Sequence, residues 1–206
     1  GLMKRNFFIS GFVSFTFSVL FWGCNKEEPI PSYVHIDKIT LSTIYSNEGS
    51  ASNKILDAWV YIDDQFVGAF ELPCTFPVLT VGTHTISVLS GIKENGITET
   101  RIPYPFYEKY VASIVLVAGE KTQVNPTTKY AALADFSWIE DFEGASPGIC
   151  NNLGVPDTNM KVVNTPGLVF ELTGSGEVLL TGSATSYFGM SCNKYALPKV
   201  GAPVFI

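Results

Sequence analysis

Short runs of β-branched and aromatic residues, separated by turn residues roughly every 8–12 positions, recur through most of this chain. After Trp22 no segment carries a convincing amphipathic helical period. This punctuation limits the fold more than any other feature, because it leaves room for strands and reversals but not for long helices. Trp59-Val60-Tyr61-Ile62 reads as a strand, Asp63-Asp64-Gln65 as its turn and Phe66 to Phe70 as the returning partner. Val34 to Leu41 reads as another strand, Thr83 to Val88 alternates cleanly, and Asn95-Gly96 is a hairpin turn pair. Val78 to Val81 leads into Gly82, and the apolar run Tyr110 to Ala118 turns at Ala118-Gly119-Glu120-Lys121 into a strand over 122–124.

Composition agrees with this reading. The chain has 206 residues, 46% apolar and 16% charged, with 18 Gly and 12 Pro. That is ample for a packed core and too weakly charged for a disordered chain. The length suits one large or two small domains. Thirteen basic against 19 acidic residues give a net charge of −6. No basic surplus is available to neutralise phosphates, so nucleic acid is excluded as a partner.

The amino terminus reads as an address. Met3 is followed by Lys4-Arg5-Asn6 and then by the apolar run Phe7 to Trp22. The run is short for a membrane span, which needs about 20 residues. A positive start, an apolar run and a small residue before a cut describe a signal peptide over residues 1–23. Its end, Leu20-Phe21-Trp22-Gly23-Cys24, resembles the lipobox of bacterial lipoproteins, with Phe21 and Trp22 departing from the usual residues. The resemblance implies cleavage after Gly23, diacylglycerol on the Cys24 thiol, palmitate-type acylation and a membrane anchor. The alternative is an ordinary secretory signal with an incidental cysteine. Cleavage leaves 11 basic and 19 acidic residues. Residues 24–32 form a tether in which Lys26-Glu27-Glu28 resembles the surface-export signal of Bacteroidota lipoproteins. The implied location is the outer membrane of the cell envelope, facing the cell surface or the periplasm.

Residues 33–130 are expected to form a β-sandwich. Val60-Tyr61-Ile62-Asp63-Asp64, Phe66-Val67-Gly68, Pro73, Gly82-Thr83-His84-Thr85-Ile86 and Gly91 together resemble a PEGA-type module, a small non-enzymatic sandwich of bacterial envelope proteins. Arg101 to Tyr107 alternates two prolines with aromatics. It suits a rigid strand-edge crossover, with a cis proline as one option, or an aromatic platform for sugar rings.

Residues 131–206 are expected to begin a second, jelly-roll-like domain, with Pro126 to Ala134 as the joint. Phe136 to Gly144 reads as an apolar-acidic strand, and its Asp141-Phe142-Glu143-Gly144 resembles the opening strand of jelly-roll modules in adhesins and carbohydrate-binding domains. Further strands are expected near 161–163, 168–172 and 177–181, with Gly174-Ser175-Gly176 as a turn, and others over 186–190 and 204–206. A jelly roll needs about eight strands, so a partial, truncated domain continuing beyond Ile206 is expected. The fold class is therefore all-β: a β-sandwich followed by a partial jelly roll.

Asp135, Glu140, Asp141 and Glu143 are the densest carboxylates. The jelly-roll resemblance implies a structural Ca²⁺ near the first strand, with Glu140, Asp141 and Glu143 as candidate ligands. The alternative is solvated acids beside a turn. Trp138, Tyr187 and Phe188 are candidate ligand-binding aromatics, and equally good core residues. Catalytic motifs are absent: there is no Gly-x-Ser-x-Gly, no His-Glu-x-x-His, no P-loop and no dinucleotide fingerprint. His35 and His84 read as strand-face histidines. Cys150 and Cys192 are a candidate disulfide pair closing a loop of about 40 residues, which leaves Cys74 as a buried free thiol. These residues point to a non-enzymatic, membrane-anchored scaffold or binding module for glycan or surface adhesion. The alternatives are a structural subunit of an envelope protein complex held by sheet-edge pairing, and the front part of a longer hydrolase.

Overall fold

Alternate positions Val34 and Ile36, both β-branched, favour a strand, β1 (Ser32–Ile36), whose Ser32, Val34 and Ile36 are fully buried. The structure, a computed structural model, describes residues 28–97, 99–144, 148–151, 160–180, 190–192, 196 and 204. Within them the protein is all-β apart from a four-residue helix, α1 (Tyr45–Glu48), and a 3₁₀ turn (Glu94–Gly96).

β1 lies in the middle of a three-stranded sheet. It pairs antiparallel with β5 (Cys74–Val78) and parallel with β9 (Lys121–Val124). β2 (Thr40–Leu41) continues the line beside β10 (Thr127–Thr128), again in parallel. The single strand expected over 34–41 is divided. From Ile36 to Thr40 the chain takes one more step than from Val124 to Thr127 on the facing side, so residues 37–39 bulge out of the ladder. β5 (Cys74–Val78) is a strand not expected from the sequence; it ends at Val78, and residues 79–81 lead on to Gly82. Pro126 and the two residues after it pair back on β2, where the Thr40 N–H donates to the Pro126 carbonyl at 3.0 Å.

The second sheet contains β3 (Asp57–Ile62), β4 (Gln65–Glu71), β6 (Gly82–Lys93) and β7 (Arg101–Pro103) in the order β4-β3-β6-β7, with β8 (Tyr110–Leu116) also on β6. The β3–β4 turn falls where the sequence places it. Asp63 and Asp64 have φ of 48° and 62°, the left-handed pair that a two-residue hairpin demands and that Asp tolerates. β6 outruns the expected 83–88 because it is the spine of the sheet. Its first half faces β8 and its last three residues face β7. Among the described residues the cis peptide bond is Leu72–Pro73, not one in the Arg101–Tyr107 segment.

Both sheets fill one core. Val34, Ile36, Phe76 and Val124 come from the first; Ala58, Val60, Ile62, Ile86, Val88, Ile114 and Leu116 come from the second. The rings of Phe70 and Phe76 stack with centroids 4.2 Å apart and join β4 to β5. Each fully buried aliphatic chain contributes about 1.5–3 kcal/mol through loss of contact with water.

The second half departs from expectation. Residues 136–143 form no strand. The Glu140 carboxylate accepts from the Phe142 N–H at 2.9 Å, Asp141 accepts from the Glu143 N–H at 3.0 Å, and Phe142 has a φ of 60°. These local side-chain bonds compete with a ladder and win. Residues 168–172 are also turns and bends rather than a strand. Gly167 and Leu172 have positive φ, and the Phe170 N–H donates to the Ser175 hydroxyl. Ser175 and Gly176 open a strand instead of forming a turn. β12 (Met160–Val163) and β13 (Ser175–Val178) make one antiparallel ribbon, and β11 (Ile149–Asn151) and β14 (Met190–Cys192) make another. Residues 186–189, 205 and 206, where further strands are expected, lie outside the described residues; Val204 is not in a strand.

Candidate functional site

Charged side chains gather on the outer face of the second sheet. Asp57 on β3 is fully buried and bonded to Arg101 on β7, which also donates to Glu71 on β4 at 3.0 Å. Arg101 therefore spans the sheet, and it crosses where β6 carries Gly91, the register partner of Asp57. A Cβ at Gly91 would sit 2.7 Å from the Asp57 Cβ and 3.0 Å from the Trp59 indole, so only glycine lets these groups close over β6. Asp57 Oδ2 and Trp59 Nε1 are buried without a hydrogen bond among the described residues.

A second pair joins the β3–β4 turn to the start of β6. His84 Nδ1 lies 2.6 Å from Asp63 Oδ2, and His84 Nε2 lies 3.0 Å from the Val81 carbonyl. Asp63 Oδ1 accepts from the Thr85 N–H at 2.9 Å. Both ring nitrogens thus face acceptors, which suits the imidazolium form. The hydrogen bond to Asp63, followed by that to Val81, holds His84 above its ordinary range, and the same bond holds Asp63 below its own. His35 makes a separate contact, Nδ1 to Thr75 Oγ1 at 2.7 Å. The strand-face reading of both histidines therefore fits their positions, and His84 has the added task of clamping the hairpin.

The carboxylates read as candidate Ca²⁺ ligands are occupied by backbone donors. Glu140 takes the N–H groups of Phe142 and Gly148. Glu143 takes those of Thr173, at 2.8 Å, and Gly174, at 2.6 Å, together with the Thr173 hydroxyl. Asp135 meets the Ser137 hydroxyl at 3.3 Å. The Thr173 bonds hold Glu143 below the usual carboxylate range. Asp141-Phe142-Glu143 is thereby stapled to Thr173-Gly174, and the Phe142 ring covers Gly176. No group of three or more metal-ligating side chains forms among the described residues.

An aromatic chain that the sequence signalled only through its Pro-Tyr-Pro-Phe-Tyr stretch runs along one side. Tyr104 and Tyr107 have ring centroids 4.5 Å apart, Tyr107 and Tyr130 5.1 Å, and Tyr130 and Phe136 4.7 Å. Burial, then Tyr130 beside it, pushes the Tyr107 phenol far up. Nearby, an open cleft of about 370 Å³ is lined by Ser42, Glu108, Lys109, Tyr110, Val111, Thr127, Thr128 and Lys129. Glu108 and Lys129 pair across 3.3 Å. The cleft thus presents hydroxyls, a Glu108–Lys129 ion pair, the Lys109 ammonium and a tyrosine edge, a lining suited to a polar ligand.

Trp138 is 39% exposed on the loop after Phe136. Cys24, Tyr187 and Phe188 lie outside the described residues. Cys150 pairs with Ser191, and Cys192 with Ile149, so the two cysteines stand one register step apart on paired strands. Cys74 is a free thiol, partly buried, and burial raises it above its ordinary range. No helix among the described residues is long and apolar enough to cross a membrane. The chain matches no protein-family model, no curated protein and no solved structure.

Proposed function

We propose that this chain is a non-enzymatic envelope lipoprotein, anchored in a membrane through acyl chains on Cys24, that holds a sandwich-type β module at the membrane surface. The observation that carries the reading is the cationic and apolar lead ending at Gly23-Cys24, eight residues ahead of the strand that starts at Ser32. The tether ends where the Gly119 N–H donates to the Pro31 carbonyl at 2.9 Å. A scaffold role is further supported by the use made of charge: Asp63, Glu140 and Glu143 all hold backbone donors. Glycan is the ligand class that suits the hydroxyl-lined cleft. Metabolic labelling with palmitate tests the anchor. The intact chain incorporates label and partitions with membranes, whereas Cys24→Ser loses both. An unlabelled parent chain, or label retained in the variant, overturns it. A glycan array tests the ligand, and silence across all polysaccharide classes counts against glycan.

A second reading is a structural subunit joined to envelope proteins by strand addition. β4 favours it, because among the described residues it stands at the end of its sheet beside β3. A stoichiometric partner whose capture is abolished by Val67→Pro on β4 supports that reading.

A further inference from the structure

The first and last strand segments of the unit lie side by side and run the same way. β1 pairs with β9 from Tyr33↔Lys121 to Ile36↔Val124, and β2 pairs with β10 at Thr40↔Thr127 and Leu41↔Thr128. Further bonds extend this seam at both ends. Gly119 N–H donates to the Pro31 carbonyl at 2.9 Å, Tyr33 N–H to Glu120 at 2.8 Å, Thr40 N–H to Pro126 at 3.0 Å and Ser42 N–H to Thr128 at 2.9 Å. The Thr40 and Thr127 hydroxyls meet at 2.8 Å. Val34, Ile36, Leu41 and Val124 bury their side chains behind it.

We infer that this parallel seam is a mechanical clamp, which carries tension between the amino-terminal tether and whatever engages the chain beyond Tyr130. The direction of pull follows from the topology. The tether enters at the start of β1, and the chain leaves from the end of β10. Opposed pulling at those two points slides the paired segments past each other, so every bond of the seam is loaded at once. Pulling at neighbouring ends would instead open the bonds one after another. Sliding also drags the buried side chains across the core. Resistance to force is a property of the unfolding barrier rather than of equilibrium stability, and shear across the whole seam raises that barrier. The use of the clamp rests on the Cys24 anchor proposed above, but its mechanics do not.

Single-molecule force spectroscopy on the full chain tests the clamp without any lipid. One geometry places handles at the two chain termini. The other keeps the amino-terminal handle and puts the second on the exposed residue 120, next to the start of β1. Both geometries load β1 against β9, the first in shear and the second by unzipping. The expected result is a final rupture force severalfold higher between the termini than between the amino terminus and residue 120. Single contacts from later residues, such as Ser50 Oγ to Glu171 at 2.6 Å, break before it. Thr40→Val, at an exposed β-branched position, lowers the terminal-geometry force and leaves the unzipping force unchanged. Equal forces in the two geometries overturn the clamp. An unlabelled parent chain with the force difference intact would overturn the anchor alone.

Discussion

Arg101 and Asp57 are bonded across three strands of one sheet, from β7 over β6 to β3, although 44 residues separate them in the chain. Asp57 is fully buried, so its charge has exchanged water for this guanidinium. Removing one partner of such a pair leaves a charge with neither. Arg101→Leu is therefore expected to lower the thermal midpoint more than Glu71→Gln, which removes only the exposed arm. Adding Asp57→Asn to Arg101→Leu recovers part of the loss. Thermal melts of the three variants check the order; equal midpoints for Arg101→Leu and Glu71→Gln would refute it.

The Asp63–His84 clamp makes stability depend on pH in both directions. His84 lies above its ordinary value of 6.5, so its contribution is complete below that value and is lost as pH rises through the raised one. Asp63 lies below its ordinary value of 3.8, so its contribution is present above that value and is lost as pH falls through the lowered one. The clamp therefore stabilises most between those two ordinary values. His84→Gln flattens this profile. Melting curves of both proteins from acid to alkaline pH, taken as a difference, should peak in the window and shrink on either side.

Glu143 holds two loops together through the Thr173 and Gly174 amides. Glu143→Gln keeps the shape but weakens acceptors that now carry charge. Amide hydrogen exchange at Thr173 and Gly174 should quicken while the amides of β3 and β6 stay protected. A Cβ at Gly174 would meet the Phe142 carbonyl, so Gly174→Ala should produce the same pattern. Unchanged exchange at both amides in both variants would show that the staple contributes nothing.

The core provides the reference scale. Ile86 is fully buried between the sheets, and Val111 on the outer face of β8 is 53% exposed. Ile86→Ala is expected to cost about 2–5 kcal/mol through lost transfer energy and a cavity. Val111→Ala should stay within about 0.5 kcal/mol of the parent chain. Urea titrations with a common slope decide between them.

Local chemistry made much of the first unit legible. The β3–β4 hairpin was legible as two aromatic and β-branched runs around a turn, and the Asp63-Asp64 turn because acid side chains tolerate left-handed backbone. The acids of residues 135–143 were harder to read. A carboxylate presents the same oxygens to an ion, to water or to an amide, and here the amides of Thr173 and Gly174 approach from 30 residues away. The strand expected over 136–143 failed for the same reason, since its acids bent the chain to reach those amides and their own.

The all-β class, the hairpin turn at Asp63 and the alternation over residues 83–88 of β6 were determined by the sequence alone, through the two-residue period of a strand and the turn preferences of Asp and Gly. The tertiary structure decided which strands meet. It set the parallel seam of β1 with β9, the passage of Arg101 over Gly91 to Asp57, and the pairing of His84 with Asp63. Strand pairing joins residues far apart in the chain, and its register is chosen by the apolar area buried when two sheets close on one core. No local pattern encodes that choice, because it exists only once the sheets have met.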